Sequence, residues 1–212
     1  MKTLQRAFAT EEHSDGNKHK EVEREIIVRL IDISELDKAE KSEFHEQWEI
    51  KVPQTENNVT SVRSRIRKTT VSLTEAPVYV HTTKTKSESQ SYNDEVSIPT
   101  TEPHFKQYQA GAETGMIKER FFFPVNTEQE SSGLIWELDM YPIDPDNPFE
   151  RKYKQWARLE IENVEEGMAL PDLPIAVDEV IIVGPDNTPE EKEKIDFIFK
   201  NEFLYPNRFK TK

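Results

Sequence analysis

Arginine recurs at every second position in Val62–Lys68, as Arg63, Arg65 and Arg67. Only an extended strand sets residues of that spacing side by side, because successive side chains on a strand point to opposite faces. The chain must therefore build a sheet in which one strand presents a row of guanidiniums. Like charges that close repel, so the row calls for anions to meet it. The chain as a whole is acidic, with 28 Lys and Arg against 41 Asp and Glu and a formal net charge of -13. A basic row in an acidic protein predicts a local polyanion site. The same acidity argues against general nucleic-acid binding, whose affinity comes largely from neutralising phosphates.

The alternation recurs along the chain, and its sign changes. Glu21–Leu30 reads as a strand whose first half aligns Glu21, Glu23 and Glu25 on one face. Gln47–Val52 reads as a second strand, with Trp48, Ile50 and Val52 on one face and Glu49 and Lys51 on the other. The arginine strand spans about Val59–Leu73, and Pro77–Ser87 follows with Lys84 and Lys86. Met116–Val125 carries Lys118 and Arg120, and Leu134–Tyr141 carries Glu137 and Asp139. Ala157–Val164 aligns Arg158, Glu160 and Glu162 opposite Leu159 and Ile161, and Val177–Val183 is a short apolar segment. Strands with one apolar and one polar face make an antiparallel sheet with one packed side. Turned inward, the charged faces would line a barrel, and about eight strands leave room for one small ligand. Bases grip phosphate oxygens and carboxylates hold a hard divalent cation, so a triphosphate with its metal would answer both sets.

Helices are expected to be few and short, since 13 prolines and 6 glycines interrupt the chain. Ser34–Glu46 is helical in composition. Glu88–Gly115 reads as a long polar insert with a short helix near His104–Ala112. Thr188–Pro189–Glu190–Glu191 is a strong helix start, with an N-cap, proline at the first position and glutamate three residues on; that helix is expected over 188–201. Residues 1–20 read as a flexible arm and 21–212 as a single domain. The chain has no cysteine, no membrane-spanning apolar run and no signal-peptide core, which fits a cytoplasmic protein. Glycine-rich phosphate loops are also missing, so phosphate binding would rest on side chains.

The order of these pairs resembles the CYTH family of triphosphate tunnel metalloenzymes, which includes thiamine triphosphatases, inorganic triphosphatases and class IV adenylate cyclases. The matching stretches are Glu21-Val22-Glu23, Arg65-Ile66-Arg67, Tyr79 with Thr82-Thr83-Lys84, Lys118-Glu119-Arg120, Trp136-Glu137-Leu138-Asp139 and Ala157-Arg158-Leu159-Glu160-Ile161-Glu162. They span about Glu21 to Val183. The resemblance implies an α+β fold: an eight-stranded antiparallel β-barrel, the triphosphate tunnel, with flanking helices. It implies Mg2+ or Mn2+ on Glu21, Glu23, Glu160 and Glu162, joined by Asp139 and its neighbour Glu137. The triphosphate would lie on Arg65, Arg67, Lys84, Lys118 and Arg120. Beside these, the alternation itself offers Lys86 as a further substrate-binding candidate and Arg63 as either a rim contact or a solvated charge. The activity implied is metal-dependent hydrolysis of inorganic, nucleoside or other organic triphosphate, an RNA 5'-triphosphate end included. Glu25 stands where the family pattern has a lysine tied to catalysis. Lys51 is the candidate substitute beside Glu21 and Glu23, and binding without hydrolysis is the companion reading. Adenylate cyclase chemistry of the class IV type shares the same tunnel motifs.

Overall fold

A computed structural model describes residues 23–51, 60–72, 74–87, 94–126, 131–162, 164 and 169–209. Among these residues ten strands join into one sheet, and every pairing is antiparallel. The strands are β1 (Glu23–Leu30), β2 (Lys41–Lys51), β3 (Thr60–Thr70), β4 (Val78–Ser87) and β5 (Asp94–Pro99). They continue with β6 (Thr114–Asn126), β7 (Ser131–Pro142), β8 (Tyr153–Glu162), β9 (Val177–Ile182) and β10 (Tyr205–Pro206). Their spatial order is β5-β4-β3-β2-β6-β7-β8-β1-β9, with β10 on the end of β6. The fold is thus α+β and dominated by a mixed-order antiparallel sheet. Among the described residues the path is open: β5 and β9 each have one neighbour, and the strands exceed the eight that the sequence implies.

The apolar face carries most of the core. Ile26 and Val28 of β1, Phe121 and Phe123 of β6, Trp136, Leu138 and Met140 of β7, and Leu159 and Ile161 of β8 are buried together. Leu36, from a 3-10 turn at Ile33–Lys38, and Ile175 cap this cluster. Farther along the same face, helix α1 (Glu102–Gly111) covers β2 and β3, packing Phe105 with Trp48 and Ile66. Gly115 makes the close contact there. A Cβ on it would lie 2.5 Å from the Trp48 ring and 2.8 Å from the Gln47 carbonyl oxygen.

The other face is charged over most of its width and apolar at one end. Ile27, Tyr141, Trp156 and Ile181 lie at that end beneath helix α2 (Pro189–Ile198) and the π-helical turn Phe199–Phe203. Tyr141 stacks on Phe203 with ring centroids 4.2 Å apart. The start of α2 is as the sequence predicts: the Thr188 hydroxyl accepts from Glu191 N, and the Glu191 carboxylate accepts from Thr188 N.

Two segments differ from the sequence expectation. Lys41–Glu46 is strand, and only Ile33–Lys38 before it winds into a 3-10 turn. Its composition favours helix, but pairing with both β3 and β6 fixes it as strand, as sheet context overrides intrinsic propensity. The insert also holds more than a helix: Asp94–Pro99 forms the edge strand β5. The predicted arm at 1–20 lies outside the described residues, and among those described no helix is long and apolar enough to cross a membrane.

Candidate anion site

Strand register brings the alternating charges onto one face. Glu43 of β2, Arg120 of β6, Asp139 of β7 and Arg158 of β8 are successive cross-strand partners, so acid and base alternate across four strands. One step along, Glu137, Glu160 and Glu25 are partners on β7, β8 and β1. On the far side, Arg63 partners Lys84, Arg65 partners Thr82, and Lys84 partners Glu95. The predicted bases and carboxylates with described side chains thus share a face, across strands far apart in the chain.

The β6-β7-β8-β1 side is an ion network. Arg120 Nε donates to Asp139 Oδ1 at 2.6 Å, and its Nη2 donates to Asp139 Oδ2 at 2.9 Å and to Glu160 Oε2 at 2.6 Å. Its Nη1 bonds Glu137, and Lys118 bonds Asp139 from the neighbouring position. Arg158 Nη2 donates to Glu25 Oε2 at 3.0 Å and its Nε lies 2.9 Å from Oε1, while the same guanidinium bonds Glu160. Burial pushes the Asp139 carboxyl up, but Arg120 and Lys118 override it and hold Asp139 ionised, well below the usual carboxylate range. Burial, helped by Arg120, pulls the Lys118 ammonium down to about 8 against the attraction of Asp139. Glu137 moves up, through burial and the nearby Glu160 and Asp139, which Arg120 only partly offsets.

The β3-β4 side is short of carboxylates. On this side Glu95 of β5 meets two bases: Lys84 Nζ at 2.7 Å and Arg65 Nη2 at 3.4 Å. Arg67 has no ion pair among the described residues, and the Nε atoms of Arg65 and Arg67 are buried without a hydrogen-bond partner. Burial, then repulsion from Arg65 and Arg120, lowers the Arg67 guanidinium from its ordinary value. Arg63, one step toward the end of the strand, is exposed.

Between the two sides stands His45 of β2, register partner of Lys118 on β6 and of Thr69 on β3. It is only 3% exposed. Its Nε2 lies 3.3 Å from Glu43 Oε2, and its Nδ1 is buried without a hydrogen-bond partner. Burial, followed by the charges of Lys118, Arg120 and Arg67, pushes the imidazole down to about 4, against its hydrogen bond to the Glu43 carboxylate. Glu43 itself falls to about 2, mainly through its bonds to His45 and Lys41, which outweigh its partial burial.

The remaining sequence candidates fall at the limits of the described structure. Glu21 lies outside the described residues, as do the side chains of Glu23, Lys51, Lys86 and Glu162. Backbone register nevertheless pairs Glu23 with Glu162, Lys51 with Arg63 and Lys86 with Ser61. As they stand, Glu137, Asp139 and Glu160 do not fit a divalent cation, because all three carboxylates are engaged by Arg120. Among the described residues no group of three or more His, Asp or Glu is arranged to hold a metal.

His45 and Glu43 escape the sequence reading because their segment looks helical, and Glu95 because its strand lies in an apparent loop. Arg158 and Glu25 are visible as alternating charges, but nothing in the sequence shows that they meet.

No known family matches the sequence, and no curated protein does. Among solved structures the chain is distantly similar to the PH1819 protein from Pyrococcus horikoshii OT3, at 16% identity and a TM-score of 0.42, over 87% of this chain and 93% of that one.

Proposed function

We propose that the protein binds a triphosphate-containing small molecule on the charged face of its sheet, with Arg65, Arg67, Lys84 and Lys118 as phosphate contacts and Arg63 at the rim. One observation carries the reading: Arg67 is a largely buried guanidinium, has no carboxylate partner among the described residues, and is destabilised by neighbouring bases. A chain of net charge -13 has acids to spare, yet none of the described ones forms an ion pair with Arg67, and Glu95 and Glu43 only partly offset its neighbouring bases. A bound polyanion would supply the missing charge through bidentate, charge-assisted hydrogen bonds. The proposal includes a sheet curled toward a tunnel. Lys118, Asp139, Glu160 and His45 are all at most 6% exposed, while α1 packs on the opposite face and α2 covers only the apolar end. Curvature of the sheet around them is the simplest cover for so many charges. A cytoplasmic location belongs to the same proposal.

Hydrolysis assisted by Mg2+ or Mn2+ is the second reading. It rests on the backbone register of Glu23 with Glu162 where β1 meets β8, one step beyond Glu25 and Glu160, which Arg158 and Arg120 already engage. Binding and hydrolysis separate in one experiment. Thermal melting against inorganic triphosphate and ATP, with and without Mg2+, should show a rise in Tm, because a ligand bound only by the folded state stabilises it. Arg67→Gln should reduce the rise at a given ligand concentration. Phosphate release with Mg2+ or Mn2+ then distinguishes a hydrolase from a binding protein. No rise with any triphosphate overturns the proposal.

A further inference from the structure

We propose that His45 is the proton acceptor of the anion site: neutral in the free protein, it takes up one proton at Nδ1 when a polyanion settles over Arg67, Lys118 and Arg120. The inference deepens the triphosphate reading and rests on it.

The geometry sets His45 between cations with one nitrogen committed and one bare. Nε2 is turned to Glu43 at 3.3 Å, which suits an Nε2–H donating to the carboxylate. Nδ1 then carries a lone pair, is buried, and has no donor to meet it. The charged groups that face the ring are Glu43 on its own strand, Arg67 on β3, and Lys118 and Arg120 on β6. Behind the last two stands Asp139 of β7, already shared between them. Burial first, and then the three nearby cations, make a charged ring unfavourable, so the free imidazole stays neutral at pH 7, with its titration pushed down to about 4.

A bound polyanion reverses that field. Its negative charges neutralise the three cations that oppose protonation, while Glu43 continues to favour the imidazolium. The proton comes from solvent, and no bond in the ligand is made or broken. Linkage fixes the sign: if binding draws in a proton, lower pH must tighten binding, and the anion must raise the imidazole titration by the same free energy. Between the free and bound titration points the dissociation constant should fall by up to about tenfold for each pH unit of acidification.

The test is calorimetry with inorganic triphosphate at pH 6, 7 and 8, in pairs of buffers with different ionisation enthalpies, on the wild type and on His45→Gln. The terminal phosphate titrates near pH 6 itself, so the difference between the two proteins is the quantity read. We expect about one proton more to be taken up by the wild type at the pH values between the two titration points. NMR of the imidazole carbons in unaltered protein supplies a readout that needs no variant: His45 should be neutral at pH 6 alone and protonated with saturating triphosphate. Equal proton counts in the two proteins, or a His45 that stays neutral in the complex, overturn the inference while leaving anion binding intact. Absence of any heat or spectral change with triphosphate removes the anion site, and this inference with it.

Discussion

Arg67 and Arg120 occupy the same face of the same sheet, with only β2 between their strands, and they live under opposite conditions. Arg120 reaches three carboxylates, and although burial disfavours its charge, those carboxylates, Asp139 first, hold its guanidinium well above the ordinary value. Arg67 reaches none among the described residues and is lowered. In sequence the two are indistinguishable, each being one member of a base-x-base pair. The difference is made by the neighbouring strand. β6 lies beside β7, which brings Glu137 and Asp139; β3 lies between β2 and β4, which bring Gln47 and Val80 to the Arg67 position. Arg120 is tied into the fold by its carboxylates, whereas Arg67 has no ion pair among the described residues and is the guanidinium on which the proposed anion would rest.

The comparison breaks most visibly at Asp139. Asp139→Ala leaves Lys118 and Arg120 buried with a lost partner, and removing one member of such a pair costs about 3–5 kcal/mol. Denaturant titration should show that loss, and a change below about 1 kcal/mol would show that the network is not structural.

His45 gives the next largest effect, and it depends on pH. In the unfolded chain the imidazole takes its proton near 6.5, whereas in the folded protein it does so only near 4. Between those values the unfolded state holds more protons, so stability falls as pH drops through the window. At about 1.4 kcal/mol per pH unit the gap amounts to about 3 kcal/mol. His45→Gln should flatten the slope of stability between pH 6.5 and 4; an unchanged slope would place the titrating group elsewhere.

Arg67→Gln should separate ligand from fold. Triphosphate affinity is expected to fall by about 1.5–3 kcal/mol, the range for a hydrogen bond to a charged group, while Tm without ligand holds or rises as repulsion with Arg65 and Arg120 is relieved. A drop in Tm without ligand would mean that Arg67 is structural after all. Arg63→Gln, on the exposed rim, should change affinity by at most about 1 kcal/mol, and a larger loss would extend the site outward along β3.

Much of the sheet could be read directly. The strands at 60–70, 78–87, 114–126, 131–142 and 153–162 follow from period-two alternation, and the cap of α2 from Thr188 and Glu191. What could not be read is partnership. That Arg158 binds Glu25 across 133 residues depends on β8 lying beside β1, a fact of topology that no local pattern carries. Lys41–Glu46 was hidden for a related reason: Lys and Glu are good helix formers, and only the strands on either side hold the segment extended.

Gly115 carries a consequence for the charged face, although it has no side chain to present there. It is the register partner of Trp48 on β2 and of Tyr205 on β10, so three strands converge on a position where any larger residue would act as a wedge. Three residues along the same seam, Lys118 lies opposite His45. A side chain at Gly115 would have to displace the Trp48 ring or the Gln47 carbonyl, three and two residues from His45 on the same strand. The absence of a side chain at Gly115 thus lets β2 and β6 close together on the seam that sets Lys118 opposite His45.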